Sequence, residues 1–106
     1  MIKLCNAFSL NMFSSLSGNI AFRQVTGAKA KDLLKSGFKS AVGHADTAKL
    51  LSNMLEVDVE CNRETLVLSE GDELLVAQYS GPRLPEGASQ LPIGATIKWL
   101  HVLISK

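Results

Sequence analysis

The sequence predicts a single α/β domain with a mixed sheet of about five strands flanked by helices. Three observations predict it. Short apolar or alternating segments of strand length take turns with stretches of helical spacing. Residues 73–79 are almost continuously apolar, the signature of a strand buried on both faces. The chain has 106 residues, 46% of them apolar and 20% charged, which is ordinary composition for one domain around one core. There is no internal repeat and no linker.

The elements follow in order. Residues 1–5 are short and apolar, a buried strand through Ile2 and Leu4. Asn6-Ala7-Phe8-Ser9-Leu10-Asn11-Met12-Phe13 sets Asn6, Ser9 and Asn11 among apolar neighbours. This fits a strand ending in a turn, then a short helix started by Ser9. Polar groups at the end of a strand in an open sheet can meet a ligand, and local capping by Asn6 and Ser9 accounts for them equally well. Ser17-Gly18-Asn19 is a turn. Residues 19–25 alternate, with Ile20, Phe22 and Gln24 on one face and Ala21, Arg23 and Val25 on the other. Thr26 caps a helix over 27–35 that turns Ala30, Leu33 and Leu34 inward and stops before Gly37. Residues 38–42 form a short strand.

Ala41-Val42-Gly43-His44-Ala45-Asp46-Thr47 then leads into a helix whose Leu50, Leu51, Met54 and Leu55 share an apolar face. Gly43 allows a sharp turn, and Asp46 and Thr47 are capping residue types. His44 therefore stands at a helix N-terminus, where free N–H groups and partial positive charge suit a phosphate. The alternative is a turn histidine without a task. Residues 56–60 alternate and form a brief edge strand or an extended loop. Residues 65–68 form a strand, Glu70-Gly71-Asp72 a turn, and 96–104 the last strand, with Trp99 in the core and His101 in a structural role. Between the last two strands, residues 80–94 hold all three prolines, and an irregular stretch of that length suggests a lid.

Composition removes several classes of function. A net charge of +1 offers no broad electrostatic surface for DNA or an anionic membrane. No apolar run reaches membrane-spanning length. Asn6 and Ser9 interrupt the first apolar stretch too early for a secretory signal. Cys5 and Cys61 lack a close-spaced motif and read as buried thiols of a reducing, cytoplasmic setting. Two histidines without Cys-x-x-Cys or His-x-x-x-His spacing give no metal site. There is neither a glycine-rich nucleotide fingerprint nor a Walker lysine.

Polar clusters remain at the ends of elements: Asn6, Ser9 and Asn11; His44; Arg63; and Arg83 with Glu86. These residue types fit phosphodiester chemistry without a metal. Arginine forks pair with phosphate oxygens and stabilise developing charge. Histidine and glutamate move protons.

Asn6-Ala7-Phe8-Ser9-Leu10-Asn11-Met12, Val42-Gly43-His44 with Thr47, Asn62-Arg63, Glu70-Gly71-Asp72 and Arg83-Leu84-Pro85-Glu86-Gly87 occur in this order. Together they resemble the viral ring nuclease family, the type III anti-CRISPR proteins of archaeal viruses, phages and mobile elements. The resemblance spans residues 4–87. It implies a homodimer that binds cyclic tetra-adenylate across its interface. It also implies cleavage of that messenger to linear di-adenylate without metal or cofactor, which silences type III CRISPR signalling. Carried over, His44 matches the family's catalytic histidine and Glu86 its active-site glutamate. Arg83 and Arg63 match its phosphate-site arginines, and Asn6, Ser9 and Asn11 its pocket-lining polar residues. Two departures stand out. Ala45 follows the histidine where the family has an acid, with Asp46 one place later, and Gly81-Pro82 stands where a single glutamine is expected.

The implied chemistry is coherent. A ribose 2′-OH attacks its own 3′ phosphate and expels the next 5′ oxygen, and a general acid contributes most at that poor leaving group. His44 takes this role. Glu86 orients either the 2′-OH or the histidine. A four-nucleotide ring has two equivalent halves, which suits a two-fold axis. The runner-up is a module that sequesters a cyclic oligonucleotide without cutting it.

Overall fold

In the computed structural model, residues 1–15, 17–85, 87–88 and 90–105 are described. Five strands form one mixed sheet: β1 (Ile2–Cys5), β2 (Asn19–Val25), β3 (Phe38–Ser40), β4 (Glu73–Ser80) and β5 (Thr96–Ser105). Their spatial order is β2-β5-β4-β1-β3. β1 runs parallel to both β3 and β4, whereas β5 runs antiparallel to β4 and to β2. The single mixed sheet expected from sequence is therefore present.

The flanking is one-sided. Helices α1 (Gly27–Leu33) and α2 (Ala45–Leu55) both pack on one face, against Ile2, Leu4, Leu75, Ala77 and Trp99. The opposite face, through Cys5, Leu74, Val76, Val102 and Ile104, is closed by Leu66 and Leu68 with Met12 and Phe13. The helices that flank the sheet, as expected from sequence, take the first face, and irregular chain covers the second. Strand alternation explains the division, because successive residues of β4 point to opposite faces. Leu74, Leu75, Val76 and Ala77 are all buried, as their unbroken apolar run requires.

The helices form for legible reasons. Thr26 caps α1 by accepting the Lys29 amide at 3.1 Å. Ala30 and Leu34 are buried beneath it. On α2, Leu50, Leu51 and Leu55 are buried with Ala48, while Met54 is 37% exposed and lies outside the expected apolar face. α2 ends at Glu56, which is left-handed at φ 56° and pairs with Lys31 of α1 at 2.9 Å.

Two sequence expectations are corrected, for residues 65–68 and Cys61, and the alternative left open for residues 56–60 is decided. Residues 65–68 are not a strand: only Leu68 makes a bridge, to Phe13, though Leu66 and Leu68 are buried and Val67 is exposed. Alternating burial is thus kept without a ladder. Residues 56–60 are an extended loop, with Val59 held by Ser52, whose hydroxyl accepts the Val59 amide at 2.9 Å. Of the two thiols, Cys5 is buried but Cys61 is exposed.

Candidate functional site

The parallel arrangement of β3, β1 and β4 points three carboxyl ends the same way. Adjacent strands lie about 4.8 Å apart, so the β1 and β3 exits are neighbours, while β4 runs four residues, about 13 Å, past Val76, the partner of Cys5, before it ends at Ser80. Asn6 follows β1, Ala41 to His44 follow β3, and Gly81 to Arg83 follow β4. Crevices outside the carboxyl ends of parallel strands are where open α/β sheets bind ligands.

A set of short hydrogen bonds fixes the β3 exit. The Ala41 amide donates to the Leu4 carbonyl at 2.8 Å, which keeps the exit against β1. The buried Ser40 hydroxyl donates to the Glu60 carbonyl at 2.6 Å and accepts the Val42 amide at 3.3 Å. Asn62 completes the clasp. Its amide donates to the Val42 carbonyl at 2.8 Å, and its side chain donates to the Ser40 carbonyl at 2.8 Å and to Glu64 Oε2 at 2.9 Å. Arg63 is thereby laid over Gly43. A methyl at position 43 would sit 3.5–3.6 Å from the Arg63 Cα, Cβ and Cγ. Gly43 is outside the positive-φ residues, so a left-handed turn is not what it supplies here.

His44 is the N-cap of α2, with φ −122° and ψ 128°, and it is exposed. Its carbonyl accepts the Ala48 amide at 2.9 Å, but its imidazole makes no capping bond. The expectation that Asp46 or Thr47 caps the helix is therefore corrected: both lie within the first turn. The Asp46 carboxylate is turned to another partner. It accepts the Gly87 amide at 3.0 Å, while Lys49, one turn along the helix, donates to the Gly87 carbonyl at 3.3 Å. Both backbone groups of Gly87, in the loop after β4, are thus clamped to the helix that follows His44. The spacing of Asp46 and Lys49, i and i+3, puts both on one side of α2. Sequence reasoning gave Asp46 a different task and passed over Lys49; the only available signal was an acid and a base on one helix face.

The base of that loop is tight. Gly81, at φ 138°, comes so close to Ala95 that a Cβ would lie 2.6 Å from its Cα. The Tyr79 hydroxyl donates to the Pro82 carbonyl. Gly81-Pro82 is therefore a turn that pinches the loop shut at its root and delivers the exposed Arg83 at the β4 exit. Glu86 lies outside the described residues.

The other expected site residues are less gathered. Asn6 is half-buried at the β1 exit. Ser9 starts a one-turn 3-10 helix (Leu10–Met12) and its hydroxyl accepts the Asn11 amide at 3.2 Å, so its local capping task is real. Asn11 is exposed on that turn. The segment is stitched to Leu68 by the Met12 carbonyl and the Ser14 amide, on the face away from the helices. His101, read from sequence as a structural residue, has its Nε2 2.6 Å from Glu73 Oε2 on the neighbouring strand.

Among the described residues there is no group of three potential metal ligands, and no helix is long and apolar enough to cross a membrane.

The fold defines a small mixed-sheet α/β protein whose loop after β4 is held against the first turns of a helix. Within that class, residues 2–92 match the model of the STIV B116-like family, and the chain belongs to that family. The solved B116 protein of Sulfolobus turreted icosahedral virus has the same fold, with a TM-score of 0.82 at 24% identity over 96% of this chain and 97% of that one. Protein 26 of Sulfolobus islandicus filamentous virus, itself uncharacterized, is 37% identical over 76 residues. That match takes in 71% of this chain and 64% of the length of the viral protein. Both relatives come from archaeal viruses.

Proposed function

We propose that this chain is a metal-independent ring nuclease that binds cyclic tetra-adenylate and cuts it to linear di-adenylate. The observation that carries the reading is His44. Its imidazole makes no capping bond at the N-terminus of α2, and the residue before it, Gly43, lies against the stem of Arg63 beyond the carboxyl end of β3. The N–H groups of that helix end favour a phosphate. Arg63, and Arg83 from the β4 exit, supply forks for the phosphate oxygens and for charge that grows in the transition state.

The reaction needs no covalent intermediate. The 2′-OH of one ribose gives up its proton to solvent water, and its oxygen bonds to the adjacent 3′ phosphorus as the P–O5′ bond breaks. His44, as imidazolium, gives its proton to the departing 5′ oxygen. A linear product with a 2′,3′-cyclic phosphate results. Holding the 2′ oxygen in line with the leaving oxygen adds to the rate by removing unproductive geometries. Glu86 remains the carboxylate assigned to orient the 2′-OH or the histidine. Two copies of the chain about a two-fold axis present one His44 to each half of the ring. Phe8 and Leu10, 37% and 64% exposed, alternate with Asn6, Ser9 and Asn11 and offer an apolar surface for that second copy. In a virus-infected or element-bearing cell the effect is to suppress type III CRISPR signalling from the host cytoplasm.

Incubation of the protein with cyclic tetra-adenylate in EDTA, with products identified by mass spectrometry, tests the reading. Linear di-adenylate ending in a 2′,3′-cyclic phosphate is the expected result. An intact ring recovered from a tight complex would mean sequestration, and absence of binding would refute the ligand.

A further inference from the structure

The loop after β4 is held at two places. At its root, Gly81 is packed so closely on Ala95 that a Cβ would lie 2.6 Å from the Ala95 Cα, and the Tyr79 hydroxyl donates to the Pro82 carbonyl. Farther along, the Ala88 amide donates to the Pro85 carbonyl at 3.1 Å and closes a turn. Gly87 takes the third position of that turn with φ 75°, a left-handed conformation that suits glycine there. The turn bond uses neither backbone group of Gly87. Both go to α2: the amide to Asp46 Oδ1 at 3.0 Å, and the carbonyl to Lys49 Nζ at 3.3 Å.

The two side chains are committed to this glycine. An acid and a base three residues apart on a helix are placed to pair with each other. Among the described residues, however, neither Asp46 nor Lys49 makes an ion pair. Each meets an uncharged backbone group instead, in a charge-assisted hydrogen bond stronger than a neutral one. Arg83 lies on the stretch between the two holding points. β4 ends four residues beyond the partner of Cys5, so this loop leaves the sheet well past the β1 exit. The bonds to Gly87 return it to α2, the helix that begins beside His44. Without them the chain from Pro82 to Gly94 is tied at its root alone, and a longer free segment has more conformations to lose when it is ordered.

We propose that Asp46 and Lys49 are positioning residues: they latch Gly87 to α2 and so hold Arg83 ready for a phosphate at the start of that helix. The latch itself follows from the hydrogen bonds, whereas its effect on turnover rests on the nuclease reading.

The test uses the intact protein with Asp46→Ala, Asp46→Asn and Lys49→Met. Amide exchange at Gly87, followed by NMR, reads the latch. Asp46→Ala is expected to speed exchange by about tenfold or more, because opening then breaks one charge-assisted bond fewer. Lys49→Met, at an exposed position, tests the other bond independently and is expected to speed exchange as well. Asparagine removes the charge of Asp46 but keeps a carbonyl acceptor for the Gly87 amide. Asp46→Asn is therefore expected to stay close to wild type, whereas a role confined to charge at the helix start would make it behave like Asp46→Ala. Single-turnover cleavage of saturating cyclic tetra-adenylate reads the consequence. The rate constant is expected to fall about tenfold in Asp46→Ala and to recover in Asp46→Asn. Equal exchange at Gly87 in wild type and Asp46→Ala, or equal behaviour of the alanine and asparagine variants, overturns the latch. Faster exchange with undiminished cleavage overturns the positioning role. A wild type that leaves the ring intact, while Asp46→Ala still speeds exchange, refutes the nuclease reading and the positioning of Arg83 with it.

Discussion

In the parallel half of the sheet, Ile2, Leu4, Cys5, Leu74, Leu75, Val76 and Ala77 are all buried, and irregular chain or helix covers both faces. In the antiparallel outer pair, β2 buries none of its seven residues and β5 leaves Leu103 47% exposed. The parallel half positions the candidate site, because only there do neighbouring strands leave the sheet in the same direction. The outer pair cannot gather side chains at one end in this way, since its strands exit in opposite directions. Rigid burial and chemistry go with parallel strands; adaptable surface goes with the edge.

The largest expected effects test that contrast by truncation. Leu4→Ala leaves a cavity between β3, β4 and the helices and should cost about 3–5 kcal/mol in urea unfolding. Phe22→Ala in dilute protein should stay within about 1 kcal/mol, because the ring is mostly solvated in a single chain. Comparable losses would erase the distinction between the halves.

Next comes pH. Burial pushes the Cys5 thiol from 9.0 up to about 11, against a smaller opposing pull from the Ala7 backbone. The folded state holds that proton more tightly than the unfolded state. This stability is thus complete below pH 9 and is lost as pH rises toward 11, by about 2–3 kcal/mol. Cys5→Ala should flatten the alkaline limb of the stability curve, and a limb that persists unchanged would assign it to other groups. The exposed Cys61 should react with iodoacetamide in the native protein while Cys5 does not.

Smaller effects sharpen the site end. Ser40→Ala leaves the Glu60 carbonyl and Val42 amide without their hydroxyl partner and should cost about 1–2 kcal/mol. It should also weaken ligand binding, since those bonds seat the chain that carries Arg63. Thr26→Ala removes only a helix cap at the edge of the sheet opposite β3 and should cost about 1 kcal/mol with binding unchanged. Isothermal titration beside thermal melting separates the two, and equal losses of binding would detach Ser40 from the site.

The sheet's strands were legible because β4 reads as an unbroken apolar run and β2 as an alternating one. Both helices were legible from spacing and from Thr26. The one-sided helix layer was not, because sequence periodicity says which residues of a helix are inward but not which face of the sheet receives them. Residues 65–68 misled for a related reason: alternating burial of Leu66 and Leu68 needs only contact, whereas a strand needs a ladder. At the site, His44 was placed at a helix start by Gly43 and the following apolar spacing. The clamp from Asp46 and Lys49 to Gly87 was hidden, because its partner is a backbone unit some forty residues away. The polar residues of 6–11 were legible as a cluster, but only coordinates show Ser9 serving its own turn.

Under the proposed reaction, His44 protonates the leaving oxygen beside the carboxyl ends of the parallel strands. The most direct measurement is the single-turnover rate of cyclic tetra-adenylate cleavage by wild type and His44→Ala, with binding affinity measured alongside. His44 is exposed and its side chain makes no capping bond, so the variant should fold and melt as wild type does. A rate loss of about 10²-fold or more with binding retained is the predicted result. Equal rates in the two proteins would contradict the claim.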